Sequence, residues 1–148
     1  MGDLFTALGK GDQALEAFSN SLNIRTRLAE AEPQRADYQR DLSVSFNRIG
    51  KHHKSLGQHD AARDALHQDL RITRGLAESS PERADFQVDL AISLIDMAKV
   101  ETPADQSYLR EAFAILEVLK TEGRLQQETY LSLFEALADQ LGEPEDIP

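Results

Sequence analysis

The sequence predicts an all-α chain built from a duplicated helical hairpin, and three observations carry that expectation. Apolar residues recur three or four apart along most of the length, as one face of an α-helix requires. No run of four or more alternating β-branched residues interrupts the pattern. Above all, Leu28–Gly50 (LAEAEPQRADYQRDLSVSFNRIG) returns 48 residues later as Leu76–Ala98 (LAESSPERADFQVDLAISLIDMA), identical at 11 of 23 positions. Tyr38/Phe86, Val44/Ile92, Phe46/Leu94 and Ile49/Met97 are mild exchanges. Leu8–Phe18 (LGKGDQALEAF) matches Leu56–Leu66 (LGQHDAARDAL) at the same spacing. A duplicated helical unit is the signature of a repeat architecture.

The elements follow in order. A stub helix near 2–9 precedes a helix near 12–31, with Gly9 and Gly11 at the closure between them. The next spans about 35–56: Tyr38, Leu42, Ser45/Phe46, Ile49, His53 and Leu56 share one face, and Phe46 is expected in the core. Pro33 starts it, and Gly57 ends it. Asp60 is placed to cap a helix over 60–79, whose inner side carries Ala62, Leu66, Leu70 and Leu76. Small residues alternating with Leu let two helix axes approach closely. Ser80-Pro81 stops that helix, and one near 83–101 repeats the earlier pattern with Leu94 and Met97. A helix near 105–121 keeps only Ala112 and Leu116 of the repeat. A last helix near 125–141 sets Tyr130, Leu133, Phe134, Leu137 and Leu141 on one face, as a terminal cap does. Residues 142–148 (GEPEDIP) read as a flexible acidic tail. Residues 1–141 are thus read as one domain, with units near 1–31, 35–79 and 83–121 and a capping helix at 125–141.

Composition narrows the function classes. With 148 residues, 41% hydrophobic and 28% charged, the chain suits one folded domain and is too apolar for wholesale disorder. No apolar run approaches the roughly 20 residues of a membrane span, and the N-terminus lacks a secretory pattern. The absence of Cys excludes disulfides and zinc-thiolate sites, and the default address is cytoplasmic. The net charge of −10 is uneven: residues 1–74 hold 10 Asp/Glu against 11 Lys/Arg, residues 75–148 hold 16 against 5. Such a field disfavours nucleic acid and anionic membranes as partners.

The order Phe46, Ile49, Gly50, His53, then Gly57, Ala62 and Leu66 resembles the tetratricopeptide repeat, a helix–turn–helix unit of about 34 residues. Gly2, Phe5, Gly9, Ala14 and Phe18 offer a first unit; Leu94, Met97, Ala98, Ala112 and Leu116 offer a third. The resemblance covers roughly residues 1–121. It implies a right-handed solenoid of antiparallel hairpins, about two and a half repeats plus the C-terminal capping helix. Three features depart from the family. The period is longer by about 14 residues, roughly four helical turns, which we assign to longer helices. Asp69 occupies a position the family usually fills with a small residue. The first unit starts inside its first helix, so the chain is read either as a fragment of a longer array, the favoured expectation, or as one whose start codon truncates a repeat.

No constellation for chemistry emerges. His52, His53, His59 and His67 contain no i,i+4 pair, so no metal site is expected. Neither a G-x-S-x-G elbow nor a phosphate-cradling Gly-rich loop occurs, so no catalytic residue and no cofactor is assigned. Ser45 and Ser93 recur in register as buried serines expected to bond their own helix backbone. Arg35/Arg83, Asp37/Asp85 and Asp41/Asp89 also repeat, and intra-repeat pairing with helix-end electrostatics accounts for them.

The resemblance implies that the first helix of each hairpin lines a concave groove. In this sequence the residues assigned to it are Val44, Asn47, Arg48, Lys51, Lys54 and Ser55, then Ile92, Ile95, Asp96 and Lys99, with Asp3 and Thr6 from the stub. Asn47 would clamp backbone amides, while Lys51 and Lys54 meet carboxylates. The carboxylate clamp of chaperone-binding family members is not expected. Asn47 and Lys51 stand in exchanged order, and Ile92 and Asp96 replace its cations. The function expected is a non-catalytic protein- or peptide-binding scaffold. The alternatives are a regulatory segment of a larger signalling protein, or a self-assembly module forming a homodimer through exposed terminal faces at Leu4, Phe5 and Leu8.

Overall fold

Pro33 and Pro81 open the same piece of structure twice. In the computed structural model, which describes residues 2–101 and 106–141 with side chains from Lys10 to Glu101 and Gln106 to Gln140, each Pro occupies the second position of a tight turn. Arg35 N–H donates to the Glu32 carbonyl at 3.0 Å, and Arg83 N–H to that of Ser80 at 3.0 Å. Proline's fixed φ suits that position. The Arg that follows is extended, with φ/ψ of −81/102 at Arg35 and −84/106 at Arg83, and the helix starts on the next residue. Each guanidinium then forks onto the Asp two residues on: Arg35 to Asp37 at 2.9 and 2.7 Å, Arg83 to Asp85 at 3.1 and 2.7 Å. Each also lies over the next aromatic ring, Tyr38 at 4.1 Å and Phe86 at 3.9 Å. The duplicated sequence folds into duplicated geometry.

Six helices result: α1 (Gly2–Ala31), α2 (Ala36–Ser55), α3 (His59–Ser79), α4 (Ala84–Ala98), α5 (Ser107–Thr121) and α6 (Gln127–Leu141). The described residues contain no strand. Two corrections concern helix starts. The stub and the helix expected at 12–31 are one continuous α1. A helix-interior Gly costs about 1 kcal/mol but leaves the hydrogen-bond ladder intact, so Gly9 and Gly11 do not divide it. Asp60 lies in the first turn of α3 rather than at its cap, where its charge still suits the helix dipole.

Two helices stop on glycines. After α2, Gln58 N–H reaches the His53 carbonyl at 2.9 Å and Gly57 N–H that of Lys54 at 3.0 Å. After α5, Arg124 N–H reaches the Leu119 carbonyl at 2.8 Å and Gly123 N–H that of Lys120 at 3.0 Å. Both are Schellman closures, which require a left-handed residue; Gly57 has φ 74° and Gly123 φ 69°.

Packing gathers the chain into two units, residues 1–69 and 70–148, parting within α3. In the first, α2 lies between α1 and the start of α3. Phe18 meets His52 edge-on at 6.0 Å, and Arg25 donates to the buried Ser45 Oγ at 2.7 Å and to the Asp41 carbonyl at 3.1 Å. Ser45 is thus buried as expected, but its recorded partner is Arg25 of α1. Gly50 sits so close to α3 that a Cβ there would fall 2.6 Å from Leu66 Cγ. In the second unit α4 is central. Phe86, Leu90, Ala91, Leu94, Ile95 and Met97 are all buried, on more than one side of the helix. Leu109, Ala112, Leu116 and Leu119 of α5 and Leu137 of α6 complete that core. Tyr130 of α6 donates to Glu117 of α5 at 2.8 Å. The positions assigned to Asp3, Thr6, Leu4, Phe5 and Leu8 at the side-chain level, and the tail 142–148, lie outside the described residues.

Candidate functional site

Burial of Leu42, Ser45 and Ile49 turns the opposite side of α2 outward. Helical spacing then sets Asp41, Val44, Arg48, Lys51 and Ser55 in one line, and all five are exposed; Lys54, beside them, is exposed as well. Val44, Arg48, Lys51 and Lys54 therefore share one accessible face, with three cations on the C-terminal side of an aliphatic residue and Asp41 on its N-terminal side. Asn47 does not join it. It is half-buried, and its Nδ2 donates to Asp69 Oδ2 at 3.0 Å. Asp69 itself is only 3% exposed. A buried carboxylate needs a hydrogen-bonding partner, so Asn47 serves the α2–α3 crossing rather than acting as the amide clamp expected.

The α4 positions behave differently. Ile92 is half-buried and Lys99 exposed, seven residues apart on one side of the helix. Ile95 is 3% exposed and Asp96 5% exposed, so neither offers a surface to a ligand in this structure. The assignment of Ile95 to a groove lining is corrected accordingly. The segment from Ala84 to Ala98 carries few polar residues, and a helix apolar on most sides is a buried helix; that signal was present in the sequence. The α2 positions belong to the first unit and the α4 positions to the second.

Sequence reasoning passed over a groove in the second unit. It has a volume of about 690 Å³ and runs between the start of α4 and one side of α5. Glu111, Ile115, Val118 and Glu122 line it at helical spacing, with Leu90 in the floor and Val118 54% exposed. Its two ends are fastened by arginines. Arg74 of α3 holds Glu111 through two bonds of 2.7 and 3.1 Å, a hydrogen-bonded fork that raises the guanidinium pKa. Arg124 donates to the carbonyls of Pro81 and Glu82 at 3.2 and 2.6 Å and to Glu122 at 2.7 Å. The signal for this groove was the alternation of Glu with aliphatic residues on α5, which the weak third repeat obscured.

The histidines are dispersed. His52 packs on Phe18, His53 Nδ1 lies 2.6 Å from Gln58 Oε1, and no group of three His, Asp or Glu side chains converges at metal-binding distances among the described residues. Of the repeated acids, Asp37 and Asp85 pair within their units, through the Arg35–Asp37 and Arg83–Asp85 forks. The fork from Arg35 holds the Asp37 carboxyl below its ordinary pKa. Compared with family models, with curated proteins and with solved structures, the chain matches none.

Proposed function

We propose that this chain is a non-catalytic scaffold, a tetratricopeptide-like solenoid of helical hairpins, that binds a protein or peptide ligand through the outer face of α2. The observation that carries the binding reading is the exposed line Val44, Arg48, Lys51 with Lys54 beside it. Three cations running on from one side of an aliphatic residue, with Asp41 on its other side, suit an extended peptide whose apolar side chain is followed by carboxylates. Support for the repeat reading comes from the turn, the Arg–Asp fork and the cation–π contact recurring 48 residues apart. Fold analogy alone does not fix a function, so the test is aimed at the face.

The test uses a labelled panel of acidic-apolar peptides and the Lys51→Glu, Lys54→Glu double variant. Because both side chains are exposed, helix content is expected to be unchanged. Affinity for any peptide bound by wild type is expected to fall by about tenfold or more, since reversing rim charges turns attraction into repulsion. Equal affinity in both proteins would remove α2 from the binding surface.

A further inference from the structure

Val118 of α5 is 54% exposed, and the surface on both sides of it is concave. On one side lies the groove of about 690 Å³; on the other, Val118 and Glu122 border a hollow of about 230 Å³ together with Glu117 and Thr121. Along the groove, Glu111, Ile115, Val118 and Glu122 form one stripe of α5, with a carboxylate at each end and aliphatic side chains between. The end carboxylates stand 11 residues apart in sequence, about 16 Å along the helix axis. Leu90 and Leu119, 6% and 1% exposed, also line the groove, and so does the exposed Glu82 of the turn before α4.

Negative charge is in excess here. Four carboxylates, Glu82, Glu111, Glu117 and Glu122, stand against the two guanidinium groups of Arg74 and Arg124. Arg110 and Lys120 of α5 line neither space, and Lys120 lies over the Tyr130 ring at 4.5 Å. Both arginines are engaged, Arg74 on Glu111 and Arg124 on Glu122 and two carbonyls. Their bonds hold Glu111 and Glu122 in fixed orientations, which lowers the ordering cost for a ligand that meets the same carboxylates. The partner of Glu117, Tyr130, is a neutral phenol. The surrounding unit, residues 70–148, carries 16 Asp/Glu against 7 Lys/Arg, a field that draws cations toward the groove.

We infer that the α5 groove is a docking site for a basic peptide segment of a partner protein, in which apolar side chains seated on Ile115 and Val118 are bracketed by Lys or Arg about 16 Å apart. Charge complementarity selects this occupant. Residues 142–148 carry Glu143, Glu145 and Asp146 and no cation, so their charge has the wrong sign. A second copy offers Arg48, Lys51 and Lys54 on α2 but brings its own net −10, which opposes the encounter. This site lies in the second unit and takes a ligand of opposite charge to that of the α2 face. Its probe carries cations, so failure here leaves the α2 reading standing.

That probe is a labelled panel of peptides of about 12 residues, long enough to span the groove as a helix, in which Lys or Arg brackets Leu, Ile or Phe. Each is titrated into the full chain and read by anisotropy. Saturable binding of one peptide per chain is expected, weakened about tenfold or more by Val118→Lys and by Glu82→Lys. Glu135→Lys makes the same change of net charge on α6, outside the groove, and should leave affinity within about twofold of wild type. All three positions are exposed, so the variants should keep wild-type helix content and melting temperature. Absence of binding across the panel overturns the assignment. So does binding that Glu82→Lys and Glu135→Lys weaken equally, because the attraction would then belong to the acidic chain as a whole. A wild-type dimer that Val118→Lys dissociates would also overturn it, with a second copy as the occupant.

Discussion

Gly50 and Gly75 are both helical glycines, yet alanine should act on them in opposite directions. At Gly75 of α3 an added Cβ meets nothing within 4 Å, so Gly75→Ala should stabilise by about 0.5–1 kcal/mol through the unfolded chain's lost freedom. At Gly50 it would meet Leu66 Cγ at 2.6 Å and Cδ2 at 2.7 Å. Leu66 is 1% exposed and has nowhere to go, so Gly50→Ala should destabilise by about 1 kcal/mol or more. Paired urea melts decide it: a stabilised Gly50→Ala would mean the α2–α3 crossing is looser than these distances. Tyr130 gives a second prediction at this scale. Its hydrogen bond to the Glu117 carboxylate holds the phenol pKa above its ordinary value of 10.0. The bond's contribution is therefore whole below pH about 10 and is lost as pH rises through the raised folded value. The phenolate absorbance missing in Tyr130→Phe should show a midpoint above pH about 10, and Glu117→Gln should lower it. A midpoint unmoved by Glu117→Gln would mean that the bond does not form in solution.

Among the elements, α2 and α4 show how far a repeat pattern carries and where it stops. Both begin with the same turn, fork and aromatic stack, because those features depend on residues within a few positions of one another. Their environments then diverge. Phe46, expected in the core, is half-buried in α2, whereas its counterpart Leu94 is 0% exposed in α4. Phe46→Ala should accordingly cost about 2 kcal/mol, below the 3–5 kcal/mol or so of a fully buried aromatic. Chemical denaturation of that variant checks the helix face, and a loss under about 1 kcal/mol would mean that Phe46 is not packed at all. The Lys51→Glu, Lys54→Glu variant belongs to this scale as well, since it asks whether one side of one helix binds. Ala98 stands in α4 where Gly50 stands in α2, so the tight crossing is a property of the α2–α3 pair rather than of the repeat.

For the whole molecule, the dominant global feature is charge. With a net −10 concentrated in residues 75–148, self-repulsion opposes folding, and the ion pairs Arg74–Glu111 and Arg83–Asp85 offset only part of it. Raising ionic strength from about 0.01 to 0.15 M shortens the Debye length from about 30 to 8 Å and screens that repulsion. The melting temperature should therefore rise with salt. A fall would show that the specific pairs outweigh the general field, because screening would then remove more attraction than repulsion.

By itself the sequence determined the helices, the turns between them and the duplication, because those follow from spacing, proline, glycine and local pairing. The boundaries of α2 and α3 expected from caps and breakers lie within about a residue of those observed. The side of α2 that faces outward was legible too, since Leu42, Ser45 and Ile49 marked its opposite. Tertiary structure decided which of the expected surface residues the packing would consume. Asn47 looks like a surface position when its helix is read singly, yet a neighbouring helix binds it; Ile95 is buried in the core of the second unit, as the apolar composition of α4 already signalled. It also decided that Gly9 and Gly11 continue a helix, that α5 lines a groove, and that Ile24 and Leu28 stay open where Ile72 and Leu76 do not. The physical reason is common to all of these. Periodicity states which side of a helix is apolar, but burial depends on what else arrives there, and a helix does not encode its neighbours.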